Sequence, residues 1–170
     1  HELLKSVDAV LVPGGFGERG IAGKILAVEY ARTHKVPYFG ICLGMQLATI
    51  EFARNVAGIK GANSAEFKPG GTENVIDLME SQKEVRDMGG TMRLGAYACK
   101  VLPKHGGKAT RAFEAYRTEE ISERHRHRFE VSGKFRAQIE QHGLVVSGRH
   151  VLGSGAELVE MVELPDHPWF

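Results

Sequence analysis

Cysteine is scarce in this 170-residue chain: there are two, Cys42 and Cys99, in unrelated contexts. That argues for a reducing compartment and against a disulfide-stapled fold. An excess charge of one sign is missing as well. Twenty-two Lys and Arg against 21 Asp and Glu leave a formal net charge of +1, so there is no global electrostatic case for nucleic acid or an anionic membrane. No apolar run reaches bilayer-spanning length, and the first residues lack a signal-peptide layout; a cytoplasmic protein is expected. Internal repeats and low-complexity tracts are also absent. With 42% hydrophobic and 25% charged residues, residues 1–170 read as one soluble globular domain.

Glycine, in contrast, is plentiful, with 21 residues, and two clusters of it carry the chemistry. The first is Gly40-Ile41-Cys42-Leu43-Gly44-Met45, between a strand-like stretch (36–41) and a helix-like stretch (45–56). This is the arrangement of a nucleophile elbow, a tight strand-to-helix turn that projects one side chain into a cleft. Residues without a Cβ fit the crowded turn and let a substrate approach. The following helix directs its N-terminal dipole at the sulfur, which is expected to favour thiolate. Cys42 is therefore the candidate nucleophile.

Around the elbow the chain alternates. An apolar run (7–12) ends at Pro13-Gly14-Gly15, and a helix is predicted over 21–33 with Ile21, Ile25 and Val28 on one face. Strand, helix, strand, helix implies an α/β fold: a central, mostly parallel sheet with flanking helices and right-handed crossovers. Ligands of such sheets bind at the carboxyl ends of the strands, where both glycine clusters fall. Farther on, 61–95 reads as loop-rich with a short strand over 75–79. Strands are predicted over 96–102, 124–131, 144–147 and 158–164, with a helix over 134–142. Gly106-Gly107 and 153–155 read as surface turns.

The second cluster is Pro13-Gly14-Gly15-Phe16-Gly17. It lacks the Lys-Ser/Thr ending of a phosphate-binding P-loop and the spacing of a dinucleotide fingerprint. Beside Cys42 it reads either as a plain tight turn or as an oxyanion loop. In the second case N–H groups near Gly15, with that of Leu43, would hold a tetrahedral oxyanion, a contribution of about 10²–10³ in rate.

Pro-Gly-Gly-Phe-Gly followed by Gly-Ile-Cys-Leu-Gly-Met-Gln resembles the class I (triad-type) glutamine amidotransferases. The stretches Asn63-Ser64-Ala65-Glu66-Phe67, Gly89-Gly90-Thr91-Met92-Arg93-Leu94-Gly95, the run from Glu123 to Glu130, and Pro165-Asp166-His167-Pro168-Trp169-Phe170 are similar to the amidotransferase domain of the CTP synthase family. The resemblance covers nearly the whole chain. It implies glutamine hydrolysis through a Cys42 thioester, with the ammonia passed to a synthetase domain of the same protein for amination of UTP. It also implies that Gly15 and Leu43 lie at oxyanion and glutamine-contact positions and that Gly44, Met45 and Gln46 continue the substrate-binding run. Glu66 and Arg128 would grip the amino and carboxylate ends of L-glutamine, a role that suits one anion and one bidentate cation. No cofactor is expected in this domain. ATP and magnesium are expected in the synthetase domain, GTP as an activator, and a homotetramer formed through that domain. The family's His-Pro-Glu segment, which supplies the remaining triad members, is expected just past the position of Phe170, and a further strand and helix before His1. His167 belongs to the preceding motif and is not the catalytic histidine.

Some readings remain open. His125 and His127 alternate with Arg124, Arg126 and Arg128. The His-x-His spacing could ligate zinc, but no third ligand is visible nearby, and no metal is expected. The arginines read as a solvated sheet face and domain interface, offset by Glu119, Glu120 and Glu123, with Arg128 turned to substrate. The stretch 89–95 reads as a lid that responds to GTP. Cys99 reads as a strand-core cysteine. A γ-glutamyl hydrolase or DJ-1-like hydrolase on the same elbow, or a non-catalytic glutamine-binding protein, are the alternatives.

Overall fold

A computed structural model describes residues 2–78 and 92–170. Met79 at the end of the predicted 75–79 strand, and Gly89 to Thr91 of the predicted lid, lie outside the described residues.

The amino-terminal part is built on alternation of strand and helix. Strand β1 (Val10–Val12) buries Val10 and Val12 and turns Leu11 outward. It pairs in parallel with β2 (Tyr38–Gly40), Val10 opposite Tyr38 and Val12 opposite Gly40. Between them runs α1 (Ile21–His34), whose Ile25, Val28 and Ala31 face the core. It ends at Lys35 in the left-handed region (φ 58°), whose N–H donates to the Ala31 carbonyl. Helix α2 (Leu43–Asn55) follows β2 with only Ile41 and Cys42 between them. It buries Leu43, Leu47, Ile50 and Phe52. A helix covered on nearly all sides sits in the middle of a core rather than on its surface. Its buried Glu51 is held by Arg32 of α1 through two bonds of 2.7 and 2.8 Å, the bidentate arrangement a carboxylate needs out of water.

Two short strands, β3 (Asn63–Ser64) and β4 (Asn74–Asp77), also pair in parallel. The rest is antiparallel. β5 (Arg93–Val101) is followed by the hairpin of β6 (Lys104–His105) and β7 (Lys108–Ala109), whose turn is Gly106-Gly107. Then come α3 (Arg111–Tyr116), β8 (Glu120–His127), β9 (Glu130–Val131), α4 (Gly133–Gln141), β10 (Val145–Val151) and β11 (Glu157–Glu163). Four of these strands form one sheet in the order β11-β10-β5-β8, antiparallel throughout.

The α/β class stands, and parallel pairing is found around the elbow. The largest sheet among the described residues is nevertheless antiparallel. The predicted strand over 124–131 is two strands. β8 ends at His127, and β9 leaves that sheet to pair with β4 (Ile76 with Val131, Asp77 with Glu130). Along β8 every second residue is half-buried, so Glu123, His125 and His127 face inward while Arg124 and Arg126 face solvent. Helix α3 is absent from the sequence reading although Thr110 signals it: the hydroxyl accepts from the Phe113 N–H. What the local sequence lacks is the second cap. The Glu163 carboxylate, from β11, accepts from the N–H groups of Arg111 (2.9 Å) and Ala112 (3.1 Å).

Candidate active site

Gly40 and Gly44 let β2 turn directly into α2. A Cβ on Gly40 would lie 2.6 Å from the backbone carbon of Gly44, and one on Gly44 would strike the Val12 carbonyl oxygen. Bonds from Gly44 N–H to Ile41 O (2.9 Å), Ile41 N–H to Val12 O (2.9 Å) and the Tyr38 hydroxyl to Gly44 O (2.8 Å) lock the turn. The constraint falls on Cys42, with φ 54° and ψ −104°. A non-glycine residue holds such a conformation only where its surroundings over-determine it, as at a nucleophile elbow.

The glycine loop lies against this cysteine. A Cβ on Gly14 would sit 3.4 Å from Cys42 Cβ and 4.0 Å from Sγ. The N–H groups of Gly15 and Leu43 lie near enough to the sulfur to pull its pKa down. The loop and the first turn of α2 therefore both place backbone N–H groups beside the Cys42 side chain.

The expected thiolate is not what the surroundings favour. Burial pushes the Cys42 thiol up, and the nearby carboxylates of Glu66 and Glu130 push it the same way. The N–H groups of Leu43 and Gly15 oppose them without prevailing. Helix-end donors alone do not outweigh desolvation and two carboxylates. Cys99 is 1% exposed in β5 and its thiol is pushed up to about 11, chiefly by burial, so it is the less reactive of the two.

Cys42 lines a cavity of about 420 Å³ together with Gly15, Met45, Gln46, His127 and Glu130. Leu43 is buried beneath the turn and offers its backbone, while Gly44 is packed on Val12. The Gln46 amide donates to the Phe129 carbonyl (3.1 Å), so this side chain ties α2 to the bend between β8 and β9. Glu66 accepts from the Gly17 N–H at 2.7 Å, which fixes it beside the glycine loop and within electrostatic reach of the sulfur. Arg124 and Arg126 line the cavity. Arg128 places its guanidinium 5.6 Å from the centre of the Phe129 ring, with Nε buried and without a hydrogen-bond partner.

Along this wall lies a charge cluster whose Arg93, Glu130 and Glu160 sequence reasoning did not join to His125 and His127. Arg93, 6% exposed, lies 3.0 Å from Glu130 and 2.9 Å from Glu160. Its guanidinium stacks 4.5 Å above the Tyr97 ring. His125 Nδ1 is 2.8 Å from His127 Nε2 and 3.4 Å from Glu160. Burial raises the Glu130 carboxyl to about 7 against the pull of Arg93. Burial, then the Arg93 charge, lowers His127 to about 4. The alternation along β8 was a legible signal for the inward histidines. Nothing in the sequence pairs them with Glu160, which lies 33 positions after His127. His167 is 2% exposed and its ring nitrogens meet the carbonyls of Trp169 (3.0 Å) and Ala31 (2.9 Å), so it braces the chain end against α1.

The family model of glutamine amidotransferase class-I matches residues 1–170. The chain is 58% identical over 170 residues to a CTP synthase of Carboxydothermus hydrogenoformans and 56% identical over 169 residues to one of Caldanaerobacter subterraneus. It is covered in full by the first match and to 99% by the second, yet spans only 30% of the length of each relative. Among solved structures, the glutaminase domain of Trypanosoma brucei CTPS with bound acivicin superposes with a TM-score of 0.87 at 36% identity. That match covers 99% of this chain and 62% of the other.

Proposed function

The chain belongs to the glutamine amidotransferase class-I family, and from that premise we propose that it is the glutaminase part of a CTP synthase. The observation that carries this reading is Cys42 held at a strained strand-to-helix turn against the Gly14-Gly15 loop, with the N–H groups of Gly15 and Leu43 near its sulfur. The sulfur attacks the side-chain carboxamide carbon of L-glutamine. The two N–H groups hold the oxyanion that forms, where such donors stabilise the transition state more than the ground state. The tetrahedral intermediate collapses with loss of ammonia, whose nitrogen takes up a proton, and water then releases glutamate from the thioester. Because the surroundings hold Cys42 as a thiol, the reaction needs a base close to the sulfur. We assign that role to the family's His-Pro-Glu segment and not to His167, whose ring nitrogens are both turned to backbone carbonyls.

On the same reading Glu66 and Arg128 hold the two ends of the glutamine zwitterion, and the free Nε of Arg128 leaves donor capacity for a carboxylate. Binding of acivicin, a glutamine analogue, to the related Trypanosoma domain supports a glutamine-shaped site. We further assign ATP, magnesium and UTP to a fused synthetase domain, the tetramer to contacts of that domain, and GTP to activation of the glutaminase. A cytoplasmic setting accords with two free cysteines and with no described helix being long and apolar enough to cross a membrane. The test is affinity labelling of the full-length protein with a glutamine chloroketone or diazoketone, read by peptide mass spectrometry. Label is expected on Cys42, with protection by glutamine, and none on Cys99. Label on Cys99 alone overturns the assignment.

A further inference from the structure

We propose that His125, His127 and Glu160 form a binding site for a divalent transition-metal ion of the zinc class on the wall of the Cys42 cavity. The histidines come from β8 and the glutamate from β11, the two edge strands of the four-stranded sheet. One donor atom from each residue lies within 4.8 Å of the other two. The closest separations, 2.8 Å between the imidazole nitrogens and 3.4 Å from His125 Nδ1 to the Glu160 carboxylate, bracket the spacing a tetrahedral ion imposes. With bonds of about 2.0–2.2 Å, that spacing is about 3.3 Å. Two imidazoles and one carboxylate suit zinc, cobalt and ferrous iron, and suit magnesium poorly.

Two further observations point the same way. Glu160 Oε1 is paired with Arg93 at 2.9 Å, which leaves Oε2, 3.4 Å from His125 Nδ1, as the oxygen that faces the histidines; the Glu160 side chain is 5% exposed. Moreover, the cluster holds two carboxylates, Glu130 and Glu160, and the single guanidinium of Arg93 is shared between them, at 3.0 and 2.9 Å. A divalent ion would balance this excess where water does not. All three donors line the cavity of about 420 Å³, which provides an entry path and room for a water as fourth ligand. The proposal is independent of the glutaminase reading, since it uses neither the Cys42 thiol nor glutamine.

The experiment titrates the metal-stripped full-length protein that carries this chain with Zn²⁺ in competition with a chromophoric chelator, and with Co²⁺ by visible absorption. One equivalent should bind, with the d–d bands of a low-coordinate nitrogen and oxygen site and no thiolate charge-transfer band. His125→Ala and His127→Ala should each weaken binding by more than the roughly 10–100-fold typical of losing an outer-shell partner. Glu160→Gln should weaken it less, and His105→Ala, on the exposed β6–β7 hairpin, should leave it unchanged. Circular dichroism checks the fold of each variant. If an alanine variant unfolds, His127→Gln and the wild-type cobalt spectrum decide. Magnesium should not compete. No one-equivalent binding, or binding unaffected by both histidine substitutions, or binding abolished by Cys42→Ser with a thiolate band in the wild type, would overturn the proposal.

Discussion

Replacing Arg93 by Met keeps most of the side-chain volume and removes the one cation of a buried cluster. The guanidinium is 6% exposed and lies 3.0 Å from Glu130 and 2.9 Å from Glu160, each of which is 5% exposed. Removing one partner of a buried pair typically costs about 3–5 kcal/mol, because the other charge stays desolvated. Here the cost should depend on pH. The folded-state Glu130 carboxyl is raised from 4.5 to about 7, first by burial, with Arg93 opposing. The folded protein therefore holds a proton that the unfolded chain has released, and stability falls as pH rises from 4.5 through 7. At 1.36 kcal/mol per unit, that fall is about 3 kcal/mol. Without Arg93 the carboxyl rises further, so the decline continues above neutrality. Arg93 also lowers His127, so its loss eases imidazole protonation at acid pH and acts in the same direction. The penalty of Arg93→Met should then be about 3–5 kcal/mol at pH 8 and about half that at pH 5. Urea unfolding of both proteins, followed by circular dichroism and extrapolated to water, measures it. Adding Glu130→Gln and Glu160→Gln should recover most of the loss at pH 8. An equal penalty at both pH values, with no recovery in the triple variant, would refute the electrostatic account.

Alkylation of Cys42 by iodoacetamide should show a midpoint pH above that of a free thiol, and Glu66→Gln and Glu130→Gln should each move it down; unchanged midpoints in both variants would remove the carboxylates as its cause. Gly44→Ala should destabilise the chain by about 3 kcal/mol or more through contact with the Val12 carbonyl, and Gly23→Ala, open on the surface of α1, should be neutral or stabilising by up to about 1 kcal/mol; thermal melts that rank the two the other way would contradict the packing of the elbow. Arg128→Ala and Glu66→Ala should each raise the glutamine KM, by an amount equivalent to about 2–4 kcal/mol of binding, with kcat less affected. Initial-rate kinetics with glutamine and with free ammonia check this, and an unchanged KM in both variants would dismiss the clamp.

The elbow and its neighbours were legible in the sequence because their causes are local. Gly40 and Gly44 are needed within four residues of one another by a turn that admits no Cβ. The apolar runs on either side have the period of the elements they form, and β1, α1, β2 and α2 fall within a few residues of their predicted places. The inward face of β8 is written in its alternation. Three things were decided only by the tertiary structure. At the break between β8 and β9 the two strands pair with different partners, β5 and β4, and Gln46 reaches the Phe129 carbonyl from another element, across 83 positions. Helix α3 rests on the carboxylate of Glu163, more than fifty positions downstream. The state of Cys42 is the third. A helix N-terminus argues for thiolate, but the depth of burial and the approach of Glu66 and Glu130 decide otherwise. Backbone turns and periodic patterns are short-range constraints and can be read along the chain. Desolvation and Coulomb energy depend on distances through space, and those exist only once distant strands have packed together.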